Sequence, residues 1–123
     1  MTLVDTSVWV DFYCGEARAD GLADLLEAND ALLHSWVLGE LSLGNLGAGR
    51  DAITADLAQL PAAPRVAEDE VLELVRGRQL SGRGIGWVDA QLLASALVAP
   101  CNLWTFDHAL AEVASSVGLP AGP

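Results

Sequence analysis

Short apolar runs that stop abruptly and give way to helical periodicity constrain this chain more than any other feature. Leu3-Val4 stops at Asp5-Thr6-Ser7, Ala31-Leu32-Leu33-His34-Ser35 leads into a helical stretch, and the run from Asn102 to Thr105 is closed by Asp107. Runs this short, alternating with helices, read as strands of a parallel sheet, because parallel neighbours need crossover helices between them. Apolar residues at helical spacing predict those helices at residues 7–13, 19–28, 37–46, 50–60, 68–80, 87–98 and 107–117. Residues 61–66 form a connector with room for an edge strand, and the tail GLPAGP offers only a vestige of a fifth strand. There is no internal repeat, linker or low-complexity block. The expected fold class is α/β: one domain over residues 1–123, a three-layer sandwich whose short parallel sheet of four to five strands is flanked by helices.

Composition narrows the function. With 123 residues, 52% of them apolar, the chain can bury a core of ordinary size and is not a disordered tail. No apolar run approaches a membrane span, and no basic stretch leads into a long apolar one near residue 1, so a cytoplasmic protein with no membrane partner is expected. Cys14 and Cys101 are far apart and form no CxxC pair, which predicts two buried thiols rather than a zinc site or a disulfide. Seventeen acids face six bases, for a net charge of −11. There is no lysine; the bases are Arg18, Arg50, Arg65, Arg76, Arg78 and Arg83. Charge alone argues against nucleic acid, since phosphate binding rests on cationic side chains. Bound cations would offset clustered acids, and Arg76, Arg78 and Arg83 fall close together as candidate phosphate contacts.

Four acids stand where the pattern does not favour them. Asp5 and Asp107 each follow an apolar strand, so in one parallel sheet they emerge at the same edge. Either also suits a helix N-cap. In the helix WVDAQLLASALV, Gln91 and Ser95 mark a polar side, and at about 100° per residue Asp89 lies round from them, beside Leu92, Leu93 and Ala96. A carboxylate there costs several kcal/mol to desolvate unless it is paired, more than the roughly 0.3–1 kcal/mol that a first-turn acid gains from the helix dipole. Glu40, in VLGELSLGNL, falls on the face carrying Val37, Leu43 and Gly44, where Gly44 leaves room beside it. Four converging carboxylates without lysine call for a cation, and all-oxygen donors select Mg²⁺ or Mn²⁺ over zinc.

VDTSVWVD, GELSLG, GIGWVDAQLLASA and LWTFDHAL resemble, in order and spacing, the motifs of PIN-domain ribonucleases, and most closely the VapC toxins of bacterial toxin–antitoxin pairs. The resemblance runs from Asp5 to about Gly118. It implies that Asp5, Glu40, Asp89 and Asp107 surround one Mg²⁺ or Mn²⁺ ion, or two, as direct or water-mediated ligands, and that the chain hydrolyses RNA phosphodiesters. It implies Thr6, Ser7 and Thr105 as hydroxyls that orient the ligands or water, a homodimer, and a small VapB-like antitoxin as partner. The sequence departs from the pattern beside the last acid, where Phe106-Asp107-His108 offers only His108 as a cation. Trp9, Trp36, Trp87 and Trp104 are expected in the core or a dimer contact, and His34 as a satisfied buried histidine. Gly84 and Gly86 either let the protein backbone come near the substrate or the metal or simply form a loop between two helices. A receiver-type aspartyl-phosphate site would want a lysine, and GRGIGW lacks the spacing of a dinucleotide loop. The remaining alternative is a non-catalytic PIN scaffold binding RNA or a protein; loss of an acid would mark it, and all four are present.

Overall fold

The computed structural model describes residues 1–123. Three strands form the sheet in the order β2-β1-β3: β1 (Thr2–Val4), β2 (Ala31–Leu32) and β3 (Asn102–Trp104), all parallel. Leu3 pairs with Leu32 on one side and Leu103 on the other, so the carboxyl ends of all three strands share an edge. Single parallel bridges extend both margins, Leu33 with Ala62 and Leu103 with Ala121. The expected four to five strand positions are therefore present, with the outer two reduced to one bridge each. Proline explains the brevity: Pro61, Pro64, Pro120 and Pro123 cannot donate to a ladder.

Seven α-helices follow in chain order: α1 (Thr6–Tyr13), α2 (Gly21–Glu27), α3 (Ser35–Leu43), α4 (Arg50–Leu57), α5 (Glu68–Gly77), α6 (Trp87–Val98) and α7 (His108–Ser116). Helix α6 has the expected limits. The stretch expected as one helix from residue 19 divides into a 3₁₀ turn, Ala17–Ala19, and α2. Helix α3 begins earlier than its periodicity indicates, because the His34 Nδ1 caps it by accepting from Trp36 N–H at 3.0 Å, and it ends where Gly44 turns extended. Helix α5 stops at Gly77; Gln79 adopts φ +54° and the Leu80 N–H returns to the Val75 carbonyl, the bond pattern of a left-handed helix end.

The core gathers the strand residues Leu3, Val4 and Leu103 with Trp9, Leu92, Leu93 and Leu110 from the helices around them. Helix α6 is buried on nearly every side: Gln91 and Ser95 are as hidden as Leu92, so they do not mark a solvent face. Ser95 instead donates to the Pro64 carbonyl at 2.6 Å and pins the connector that carries Arg65. Trp9 and Trp104 are core residues, whereas Trp36 is 38% exposed. Cys14 is exposed and Cys101 half-buried, contrary to the expectation of two buried thiols. No helix is long and apolar enough to cross a membrane.

His34 is wholly buried, and its Nε2 has no partner, so the expectation of a satisfied histidine holds for one nitrogen only. Burial, then the nearby Arg65, lowers its pKa. A histidine neutral in the fold and protonated when unfolded stabilises above its unfolded pKa of about 6.5 and destabilises increasingly below it. His34→Asn, which keeps a capping oxygen, is expected to flatten the loss of stability between pH 6.5 and 5. Urea unfolding of parent and variant across that range checks it.

Candidate metal centre

The strand order makes β1 the switch point of the sheet, because the chain leaves it toward β2 and later returns to its other side as β3. Sites in open α/β sheets lie outside the carboxyl ends of strands at such a point. Asp5 leaves β1 there, and Thr105, Phe106 and Asp107 leave β3 beside it.

Asp5 occupies the N-cap position of α1, yet its side chain makes no capping bond. Its carboxylate, on a residue only 6% exposed, turns across to β3. Oδ2 accepts from the Thr105 hydroxyl at 2.8 Å and from the Ser7 hydroxyl at 2.7 Å. Those hydroxyls accept in turn, Thr105 from the Asp107 N–H at 3.0 Å and Ser7 from the Phe106 N–H at 3.1 Å. The ends of β1 and β3 are thus laced together through one carboxylate oxygen.

The other acids are anchored separately. Thr6 donates to Glu40 Oε1 at 2.6 Å, joining α1 to α3. Asp89 Oδ2 accepts from the Gly86 N–H at 3.0 Å, and Asp107 Oδ1 caps α7 by accepting from Leu110 N–H at 3.0 Å. In all four, one oxygen is held and the other accepts nothing from the chain. The cap reading is correct for Asp107 and fails for Asp5; Asp89, a first-turn acid, reaches back to the N–H of the residue before its helix. Gly84 serves packing: at φ +84°, a Cβ there would come 3.3 Å from that of Ala109.

Electrostatically the four acids form one group. The pKa of Asp89 is raised, first by burial, then by Asp5, Asp107 and Glu40, against a lowering by the Gly86 N–H. None pairs with a base; the ion pairs of the chain are Arg18–Asp11 and Arg50–Asp51. As the side chains stand, no three His, Cys, Asp or Glu residues are placed to hold a metal ion together. Free carboxylate oxygens suit a small hard ion, which keeps several waters and uses few direct protein ligands. In its donor chemistry, all carboxylate oxygen, the set fits Mg²⁺ or Mn²⁺.

Glu40 differs from its sequence reading. It is exposed on α3 with Leu43, which is 91% exposed, while Val37, one turn earlier, is buried. Gly44 lies against the backbone carbonyl of Glu40 rather than beside its side chain. Of the arginines near the end of α5, Arg83 donates to Ser116 Oγ at the far end of α7, and Arg76 and Arg78 are exposed. One cation went unanticipated. Arg18, paired with Asp11, lies 4.2 Å from the centre of the Phe106 ring, beside Asp107; no local pattern links residues so far apart in sequence.

The PIN-domain family model matches residues 2–116. Ribonuclease VapC32 of Mycobacterium tuberculosis, from strains CDC 1551 / Oshkosh and ATCC 25618 / H37Rv, is 45% identical over 121 residues, spanning 97% of this chain and 94% of the relative.

The charge on Asp89 opposes folding, because the native state holds its proton more tightly than the unfolded chain does; the penalty disappears as pH falls through the raised pKa. Asp89→Asn keeps an oxygen for the Gly86 N–H and removes the repulsion. In metal-free buffer at neutral pH the variant is expected to melt above the parent, and to gain less from added Mg²⁺. Melting curves in EDTA and in Mg²⁺ measure both; a variant that melts below the parent in EDTA would make the charge merely structural.

Proposed function

The chain belongs to the PIN-domain family, and from that premise we infer that it is a VapC-type endoribonuclease, the toxin of a toxin–antitoxin pair, hydrolysing RNA phosphodiesters with Mg²⁺ or Mn²⁺. The observation that carries the mechanism is Asp5: a nearly buried carboxylate, turned away from its cap position, with one oxygen held by two hydroxyls and the other free, in a group of acids that no base neutralises. Lacing the strand ends together uses one oxygen of this group and leaves the other without a structural task.

Asp5, Glu40, Asp89 and Asp107 would hold the cation through Oδ1, Oε2, Oδ1 and Oδ2, the oxygens without protein donors. When bound, the ion supplies positive charge to the scissile phosphate and acidifies water into nucleophile range. The chain's part is positioning. Thr105 and Ser7 fix the Asp5 carboxylate, Thr6 fixes Glu40, and the Gly86 N–H fixes Asp89. A carboxylate oxygen left free by these anchors can take the proton of the attacking water. The cation also answers the charge objection, since it masks the acids that RNA would otherwise meet. Retention of all four acids supports an enzyme over a binding scaffold.

The acidic ring is chemically suited to an antitoxin arginine competing for the cation's place. Exposed Val10 and Tyr13 on α1, and Leu72 and Val98 on α5 and α6, are surface that a partner or a second copy would cover.

Cleavage of RNA is expected only with Mg²⁺ or Mn²⁺. Asp89→Asn should abolish it with the circular dichroism spectrum unchanged, and Thr105→Val should reduce it by about 10–100-fold, as for outer groups that orient metal ligands. Gel analysis of RNA cut by parent and variants, with and without EDTA, checks this. Full activity in EDTA would reject the mechanism.

A further inference from the structure

A cleft of about 470 Å³ opens beside Glu40, lined by Trp36, Gly39, Leu43, Arg65 and Val88. Trp36, Gly39, Glu40 and Leu43 are spaced at i, i+3, i+4 and i+7, so one stripe of α3 forms its wall. Nothing lies within 4 Å of where a Gly39 Cβ would sit, which leaves the space beside the Trp36 indole open. Arg65 faces it from the connector whose Pro64 carbonyl is pinned by Ser95. Its guanidinium pairs with no carboxylate, whereas Arg18 and Arg50 are paired and Arg83 reaches Ser116.

We propose that this cleft is a nucleotide subsite for single-stranded RNA: one base stacks on Trp36, and an adjoining phosphate is held by Arg65. The inference deepens the ribonuclease reading and rests on it. Three features select this occupant. The cleft shares Glu40 with the acidic ring, so a strand lying in it continues to the scissile position. An aromatic face beside an unpaired guanidinium is the pairing that single-stranded nucleic acid uses, base on ring and phosphate on cation. In a chain of net charge −11, Arg65 is the one base that lines this cleft, and with no carboxylate paired to it the guanidinium is free to meet a phosphate. The site is sequence-tolerant, because every base has a face to stack and no buried donor or acceptor reads its edge.

Short oligo-A, oligo-C and oligo-U strands with 2′-O-methyl riboses, which resist cleavage, serve as probes in Mg²⁺. Binding should quench tryptophan fluorescence, and Trp36→Phe should remove most of that change. Trp36→Ala should weaken binding by roughly 5- to 150-fold, the range for loss of one stacked base. Arg65→Gln should weaken it and lower the slope of log affinity against log salt by about 0.7. Gly39→Phe fills the cleft from a helical position with open space, so it should block binding while the helix remains intact. Unchanged affinity in Trp36→Ala, Arg65→Gln and Gly39→Phe overturns the subsite. So does a Trp36→Ala variant that loses only self-association by light scattering, which would give this face to a second copy of the chain. Failure of the parent to bind the probes also overturns it, while Mg²⁺-dependent cutting of longer RNA would leave the ribonuclease reading standing. Probe binding through Trp36 without any cleavage of ordinary RNA sinks that reading and keeps the subsite.

Discussion

The carboxylate of Asp5 is the point on which the site depends. A carboxyl group this buried, with no basic side chain beside it, is tolerated only if hydrogen bonds replace the water it has lost. Ser7 and Thr105 supply them, both to one oxygen. The consequence reaches beyond Asp5. Because each hydroxyl also accepts a backbone N–H from the segment after β3, the direction in which the chain leaves the sheet toward Asp107 is set by the same two side chains. The site is thus positioned by strand ends and short hydrogen bonds.

Grouping the acids carries a cost in stability that the rest of the molecule must offset. Three of the carboxylates raise the pKa of the fourth, and no arginine neutralises any of them. The core of Leu3, Leu92, Leu93, Leu103 and Leu110, all fully buried, is what holds such a cluster together; each such side chain contributes about 1.5–3 kcal/mol through burial. This is the usual exchange of stability for a functional site. It also separates two tasks that the net charge had confused. The acids concern the cation, whereas any contact with a polyanion falls to a few arginines whose use depends on where the fold places them.

That division explains which features were legible in the sequence. The positions of Asp5 and Asp107 follow from local pattern, an apolar strand ended by an acid, and parallel pairing then brings both to one edge. Helix α6 is legible to the residue, because Gly86 and Pro100 bracket a mostly apolar stretch with no other breaker in it. The argument for Asp89 used a mistaken premise: Gln91 and Ser95 are buried, and a helix surrounded by protein has no solvent side for an acid to violate. For Glu40 the face is as expected, beside Leu43, but that face is exposed rather than buried. Helix α3 is apolar nearly all round, so periodicity does not say which leucine faces out, and Leu43 does. Arg18 against Phe106 and Arg65 beside Glu40 depend on tertiary approach between distant segments. No spacing rule reports such contacts.

The most direct test is the position of a bound cation. Crystals of the chain equilibrated with Mn²⁺ and measured at a wavelength where manganese scatters anomalously would locate it. A peak is expected within about 2–2.5 Å of at least two of Asp5 Oδ1, Glu40 Oε2, Asp89 Oδ1 and Asp107 Oδ2, with water completing the shell. A saturated crystal with no peak among these oxygens, or with its manganese bound elsewhere on the acidic surface, would contradict the assignment of the four acids to a metal centre.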